Sequence, residues 1–459
     1  MVSLRPLVVS QYRRTVPRVA GSPQRSPIRV VVGLFLLLIL AGTFLLALPW
    51  SSRGNGTGIL TALFTATSAV CVTGLTVVDT AAHWTPFGKT VILLLIQIGG
   101  LGIVTLATGF YIAASERLGL TQARMLAAEK ASTGLSSPRE LVKRVLAVTL
   151  VGEGVLAALL AARLVATHDY EPVTAVILGV FHAVSAWNNA GFALHGENLV
   201  RFAGDPFILL VVSGGVILGG LGFPIVYALM RMRRRDLANL HARLTLAATG
   251  ILLGVGFFAV LAGEWSNVAT LGNLPVAEKF PLAFFTAVQP RTAGFNAIDI
   301  TAQTPATLLV TILLMFVGGA SASTAGGIKV GTLAVLVLAL RSEIRGRPDV
   351  AAFRRRIAGT VLRQAHTILL LSGAVLTTGA LLLMGTGMGF LGAIFEAASA
   401  IGTVGLSHAG TQNVTGTGRI VLILLMFLGR LGPLTLAVSM TGRGRTPLHR
   451  YPEERPLIG

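Results

Sequence analysis

The sequence predicts an all-α polytopic membrane protein: eight spanning helices and four shorter re-entrant helices, arranged as four tandem units. Three observations predict it. First, 53% of the 459 residues are hydrophobic and only 12% are charged, where an ordinary soluble protein carries about a quarter charged residues. Second, apolar runs long enough to cross a hydrocarbon core of about 30 Å recur along the chain. Third, one short segment that opens on phenylalanine and closes on glycine recurs four times between those runs.

The spanning runs cover 30–48, 90–112, 145–160 with an extension to 165, 207–230, 244–262, 306–340 with an internal break, 367–383 and 420–439. The first is too long, and too poor in a small-residue cleavage site, for a removable signal peptide. The units that follow are 30–113, 145–231, 243–340 and 362–441, with a basic N-terminal segment at 1–29 and a tail at 442–459.

Lys and Arg collect on the cytoplasmic side of membrane proteins, and here they fall in alternate connections. Six precede Val30, six lie in 116–144, five in 231–243, eight in 329–363 and four after Thr441. Both termini are therefore expected inside a cell membrane. The net charge of +19 is mostly this topological pattern, so anionic lipid or an acidic cytoplasmic partner explains it better than nucleic acid, which is not expected to bind. The single cysteine, Cys71, excludes an internal disulfide framework.

The four repeated segments are FTATSAVCVTGL from Phe64, FHAVSAWNNAGF from Phe181, FTAVQPRTAGF from Phe285 and FEAASAIGTVGL from Phe395. Gly74, Gly191, Gly294 and Gly405 follow their phenylalanines by ten, ten, nine and ten residues. Each segment is too short to cross a bilayer, and irregular backbone at membrane depth survives only where it lines a wet path or is buried in protein. Four such turns around one axis supply a ring of carbonyls, with glycine reaching positive φ at no steric cost. That is a cation filter, in which carbonyl oxygens replace an ion's hydration shell. Its columns are Val72, Thr73 and Gly74; Asn189, Ala190 and Gly191; Thr292, Ala293 and Gly294; and Thr403, Val404 and Gly405. Their side chains share little chemistry, so the backbone is the expected ligand.

The break in the sixth run reads GGASASTAGGIK, from Gly318 to Lys329. A phosphate-binding loop needs GxxxxGK[ST] after a strand, and here Ile328 separates Gly327 from Lys329. Neither flanking half crosses alone, so the stretch interrupts a span rather than linking two. Ser321, Ser323 and Thr324 offer hydroxyls to the freed backbone groups. Arg430 lies inside the last run, where a bare arginine costs at least about 2.5–3.5 kcal/mol. It is expected to donate to the broken span, the alternative being snorkelling to the interface. Arg291 braces the filter backbone or an adjacent carboxylate, or stands in an outer vestibule. Glu396 is read as near the start of the fourth short helix, where a carboxylate is favoured, and as holding the neighbouring filter. Glu153 lies inside a span with no partner evident from sequence. His182 is expected to pack in a short helix rather than bind metal.

VTGL at Val72, FHAVSAWNNAGF at Phe181, PRTAGFN at Pro290, STAGGIK at Ser323 and GRLGPLT around Arg430 resemble the Trk/Ktr/HKT superfamily of potassium transporters. By length the chain is most similar to the Ktr (KtrB-type) membrane subunit. The resemblance implies four M1-P-M2 units around a pseudo-fourfold central pore and K+ uptake through the four glycines. Gly74 stands where plant members that conduct Na+ have serine. The resemblance also implies an intramembrane gate of Gly318, Gly319, Ser321, Ser323, Thr324, Gly326, Gly327 and Lys329, facing Arg430. Ala322 and Val330 depart from its usual glycine and threonine. Implied with these are a homodimer, a cytoplasmic ring of nucleotide-binding regulatory subunits of the RCK type (KtrA- or TrkA-like), Na+ as activator and no organic cofactor.

Two other classes are weaker. An intramembrane enzyme needs a nucleophile with its base or a metal triad, and GxSxG, HExxH and paired aspartates are absent from the runs. A passive structural or receptor protein has no need of four glycine turns. Within transport, a sodium or poorly selective cation pathway remains the alternative, since glycines do not fix the ion.

Overall fold

The computed structural model describes residues 27–54, 56–101, 138–230 and 237–432. Four times the chain runs from a long helix through a short apolar helix and a turn to a further helix. The first quarter holds α1 (Pro27–Ala47), α2 (Ile59–Val70), the one-turn α3 (Thr80–His83) and α4 (Pro86–Gly100). The second holds α5 (Pro138–His168), α6 (Pro172–Trp187), α7 (Pro206–Leu221) and α8 (Phe223–Met230). The third holds α9 (Leu240–Glu264), α10 (Val276–Val288), α11 (Pro305–Phe316) and α12 (Val330–Ile344). After a hairpin of β1 (Ala351–Ala352) and β2 (Arg355–Arg356), the fourth holds α13 (Gly359–Met384), α14 (Phe390–Gly402) and α15 (Gly416–Leu431).

Local chemistry sets the helix starts. Thr85, Asp205, Thr304 and Thr415 each cap the helix that follows a turn, accepting from the amides of Gly88, Phe207 and Ile208, Thr307, and Gly418 respectively. Three of the four are followed by proline, whose missing N–H is harmless at the first helical position. The long helices begin somewhat before the hydropathy boundaries. α5 starts at Pro138 rather than 145, because its first turns are polar yet helix-forming and carry an i,i+4 ion pair between Glu140 and Arg144.

The surface is unlike that of a water-soluble protein, while the interior combines an apolar core with buried polar groups. Leu37, Leu40 and Phe44 on α1, Leu150 and Val155 on α5, Phe258 on α9 and Leu370 on α13 are exposed, whereas Ser68, Ser185, Asn188, Glu396 and Ser399 are buried. Apolar residues outside and satisfied polar groups inside are what a lipid solvent demands. The helices α1, α5, α9 and α13 are long and apolar enough to cross a membrane. The short helices α2, α6, α10 and α14 lie inside, their last turns almost wholly buried.

The run 207–230 is not one straight span. It bends by 114° between α7 and α8 at Gly222, whose φ of 84° only glycine adopts freely. At the other end of α7, Asp205 fastens α5 through Arg163 Nε and His168 Nε2, each 2.9 Å away. Burial alone raises the Asp205 carboxyl, but hydrogen bonds from Arg163, His168 and the Ile208 amide, with the Arg163 charge, hold it below its ordinary value.

Most of the expected segment 1–29, the end of the first unit beyond Leu101, the basic connection up to 137, residues 231–236 and the last span beyond Gly432 with its tail lie outside the described residues. Termini placement rests on these segments.

Candidate functional site

Each short helix leads into a turn of unusual backbone. Val72, Asn189, Thr292 and Thr403 have φ of 55°, 60°, 66° and 50°, and Gly74, Gly191, Gly294 and Gly405 have φ of 90°, 69°, 76° and 99°. Left-handed conformations two residues apart swing successive carbonyls toward one side, where an ordinary strand would alternate them. For a non-glycine residue this costs about 1–2 kcal/mol, so something must hold each turn.

A side chain four residues after each phenylalanine does so. The carbonyl of Ser68 accepts from Thr73 N at 2.8 Å, and its Oγ accepts from Gly74 N at 3.1 Å. Ser399 repeats both bonds to Val404 N and Gly405 N, at 2.8 and 3.1 Å. The Ser185 carbonyl accepts from Ala190 N at 2.7 Å while its Oγ donates to Phe192 O at 2.7 Å. The third turn is one residue shorter and has Gln289 in that column. Its longer side chain reaches past the glycine to accept from Phe295 N at 3.2 Å. The column Ser68, Ser185, Gln289, Ser399 was visible in the repeat and is missing from the residues expected of the site.

The four turns meet one another. A Cβ on Gly74 would lie 2.4 Å from Ala190 O, on Gly191 2.7 Å from Ala293 O, on Gly294 2.1 Å from Val404 O, and on Gly405 2.2 Å from Thr73 O. Each quarter's glycine thus abuts the next quarter's carbonyl, and the fourth returns to the first. No side chain fits at any of the four positions. Thr292 Oγ1 donates to the Asn189 amide oxygen at 3.2 Å, and the Asn189 nitrogen donates to Val216 O and Ala186 O.

Against this ring lies the loop between α11 and α12. A Cβ on Gly326 would stand 2.1 Å from Thr403 Oγ1, and one on Gly318 would stand 3.2 Å from Thr292 Cγ2. The loop docks onto the α7–α8 bend: Ala320 N donates to Gly220 O at 2.9 Å and Phe223 N to Ala322 O at 3.3 Å. Ala322 is left-handed with φ of 58°. Gly318 N donates to Ile328 O at 2.8 Å and Val330 N to Gly319 O at 3.0 Å, closing the loop on itself. Of the three hydroxyls expected to satisfy backbone, two do. Ser323 Oγ donates to Ala320 O at 2.7 Å and Thr324 Oγ1 to Trp187 O at 3.4 Å, whereas Ser321 is exposed. Gly327, with φ of 64°, completes the turn before Lys329.

Three cationic side chains hold this loop by its carbonyls. Lys329 Nζ donates to Ala325 O at 2.5 Å, and Arg430 donates to Thr324 O and, at 2.5 Å, to Gly99 O on α4. Arg291 Nη2 donates to Gly318 O at 3.3 Å. Arg291 was expected on the turn's own backbone, on a carboxylate or in an outer vestibule; it is 7% exposed and reaches the loop instead. Arg430 lies one residue before the end of α15, at Leu431 before the left-handed Gly432, and the rest of the expected span lies outside the described residues.

Glu396 is the seventh residue of α14 rather than part of its first turn. Its placement follows from hydrogen bonding, not from the helix dipole. The carboxylate accepts from Ser407 Oγ at 2.5 Å, His408 N at 3.1 Å, Ala409 N at 3.2 Å and Thr411 Oγ1 at 3.2 Å, so it fixes the segment just after the fourth turn. His182 packs as expected, its Nδ1 against Leu178 O at 2.8 Å and its ring stacked on His195 at 5.3 Å.

Comparison with known proteins identifies the family. The family TrkH, cation transport protein, matches residues 25–442. The Ktr system potassium uptake protein B of Bacillus subtilis (strain 168) is 38% identical over 440 residues, covering 95% of this chain and 97% of that one. The potassium/sodium uptake protein NtpJ of Enterococcus hirae is 34% identical over 444 residues, covering 95% and 97%. The crystal structure of the potassium transporter TrkH from Vibrio parahaemolyticus shares the fold, with a TM-score of 0.70 over 93% of this chain and 86% of that one at 20% identity. A match along nearly the whole length, over a multi-pass helical membrane fold, makes this chain a member of the TrkH family of cation transport proteins.

Proposed function

We propose that the chain is the K+-translocating membrane subunit of a potassium uptake system, built as four M1-P-M2 units around a pseudo-fourfold pore. The observation that carries this reading is the closed succession of glycines and carbonyls from Gly74 through Gly191, Gly294 and Gly405 back to Thr73. A dehydrated cation on that axis meets backbone oxygens from all four quarters. These replace its water, while the C-terminal ends of α2, α6, α10 and α14 add partial negative charge. The Bacillus subtilis relative is a potassium uptake protein, which supports K+ as the ion.

In this reading residues 318–329 are the gate, and Arg291, Lys329 and Arg430 hold it closed by its carbonyls. Movement of the loop away from Thr292 and Thr403 opens the path. Glu396 supports the ring from behind, through the segment that follows the fourth turn. A homodimer, a cytoplasmic ring of nucleotide-binding regulatory subunits, activation by Na+ and contact with anionic lipid complete the proposal on the strength of family membership. The second reading is a sodium or poorly selective cation pathway, favoured by the potassium/sodium naming of the Enterococcus hirae relative.

The deciding experiment is growth and rubidium-86 uptake in a bacterial strain stripped of its own potassium systems. Rescue at low external K+, competed by K+ far better than by Na+, is expected. Absence of rescue with the protein verified in the membrane overturns the proposal; equal competition by Na+ selects the second reading.

A further inference from the structure

Glu153 is a carboxyl group on α5, 6% exposed and facing inward. Among the described residues no Lys, Arg or His lies within ion-pair distance of it. Its partners are amides: Gln97 hydrogen-bonds it, and Asn188 Nδ2 donates to Glu153 Oε1 at 2.9 Å, to Val184 O at 2.9 Å and to Gln97 Oε1 at 3.3 Å. A polar residue at membrane depth, paired this specifically, marks a working part of the protein.

The position of Asn188 gives the pairing its meaning. It directly follows α6 and directly precedes Asn189, the left-handed residue of the second turn. On its other side, Trp187 O receives the loop's Thr324 Oγ1. Gln97 belongs to α4, two residues before Gly99, whose carbonyl receives Arg430. The α4 backbone is pressed against the same amide, since a Cβ on Gly100 would stand 2.0 Å from Asn188 Oδ1. One side chain therefore joins α4, α5 and α6 where the ring's second turn and the two seats of the gate meet.

We propose that Glu153 is a positioning residue that locks Asn188, and through it sets both the second turn of the ring and the seating of the 318–329 loop. This rests on the reading of the ring as the ion path. The carboxyl offers Asn188 an acceptor at 2.9 Å; without it Asn188 loses its shortest side-chain partner, and the Ala190 carbonyl loses its fixed direction. Glutamine preserves an acceptor oxygen at the same reach, whereas leucine preserves only bulk.

The test uses full-length protein in liposomes, reading rubidium-86 flux and its competition by Na+. Glu153→Leu is expected to reduce discrimination against Na+ by about tenfold, the equivalent of one buried hydrogen bond, and to raise flux through the resting protein. Glu153→Gln is expected to restore both to within about twofold of wild type. Should Glu153→Leu fail to assemble, Asn188→Ala removes the donor instead and must give the same loss of discrimination. Wild-type discrimination in Glu153→Leu or Asn188→Ala overturns the proposal, as does a Glu153→Gln protein as impaired as the leucine variant. If wild-type protein itself carries no rubidium, the ion-path reading fails and this proposal falls with it, whereas normal wild-type flux with unimpaired variants overturns this proposal alone.

Discussion

Arg291 Nη2 and Gly318 O, 3.3 Å apart, join the third turn of the ring to the first residue of the loop beneath it. The two residues are 27 positions apart in sequence, with all of α11 between them. The bond makes the seating of the loop sensitive to the shape of the turn. Arg291→Leu removes it and leaves Gly318 O without that donor. Resting rubidium flux in liposomes should rise by about tenfold, the scale of one hydrogen bond to a charged group, and Arg291→Lys should recover only part of the closure because lysine lacks the planar fork.

Alanine at a ring glycine meets both a forbidden φ and a carbonyl. Gly294→Ala would bring a methyl 2.1 Å from Val404 O at a φ of 76°, and Gly74→Ala would bring one 2.4 Å from Ala190 O at 90°. Either is expected to abolish potassium uptake while protein remains in the membrane. Gly250→Ala, on the open side of α9 with nothing within 4 Å, is the matched control and keeps uptake.

Ala322 pays for its left-handed φ of 58° while its carbonyl anchors the loop to Phe223 N. Ala322→Gly removes about 1 kcal/mol of strain from the docked loop. The closed state gains that amount, so open probability in single-channel or flux records should fall by about fivefold. An increase would show that the docked loop is the conducting form.

Arg430 holds two carbonyls from distant quarters, Thr324 O and Gly99 O. Arg430→Ala strands both and should produce a resting leak larger than that of Arg291→Leu, since two charge-assisted bonds are lost rather than one. Gating identical to wild type would remove Arg430 from the latch.

Asp205 supplies a pH test away from the ring. Its carboxyl is held below the ordinary value of about 3.9, chiefly by bonds from Arg163, His168 and Ile208 that outweigh burial. A depressed carboxyl contributes stability that is present above the unfolded value and lost as pH falls through the folded one. Asp205→Asn keeps a cap for α7 but loses the charge. It should melt at lower temperature than wild type in detergent at pH 7, with the gap closing as the medium becomes strongly acidic.

Much of this architecture was readable in the chain because the repeat carries its own control. A phenylalanine, a fixed spacing and a glycine at Gly74, Gly191, Gly294 and Gly405 located all four turns, and the break at 318–329 located the loop. The holding column was equally readable, and its one irregularity, Gln289, coincides with the one shortened copy. The bend at Gly222 was hidden inside an unbroken apolar run, because hydropathy registers solvent preference and not φ. The targets of Arg291 and Glu153 were hidden for a different reason, whereas Arg430 is expected on the broken span and meets Thr324 O there. Arg291 meets the loop carbonyl of Gly318 and Glu153 meets Asn188 just beyond α6, and which carbonyl or amide lies within reach is decided only when the quarters close together.

That closure has a consequence for synthesis. Gly405 abuts Thr73 O, and Arg430 reaches back to Gly99 O, so the first quarter is finished by the last. A nascent chain with three quarters in the bilayer presents an open breach of backbone amides and carbonyls to lipid, which such groups do not tolerate. Premature termination should therefore yield not a partial pore but a substrate for membrane proteolysis.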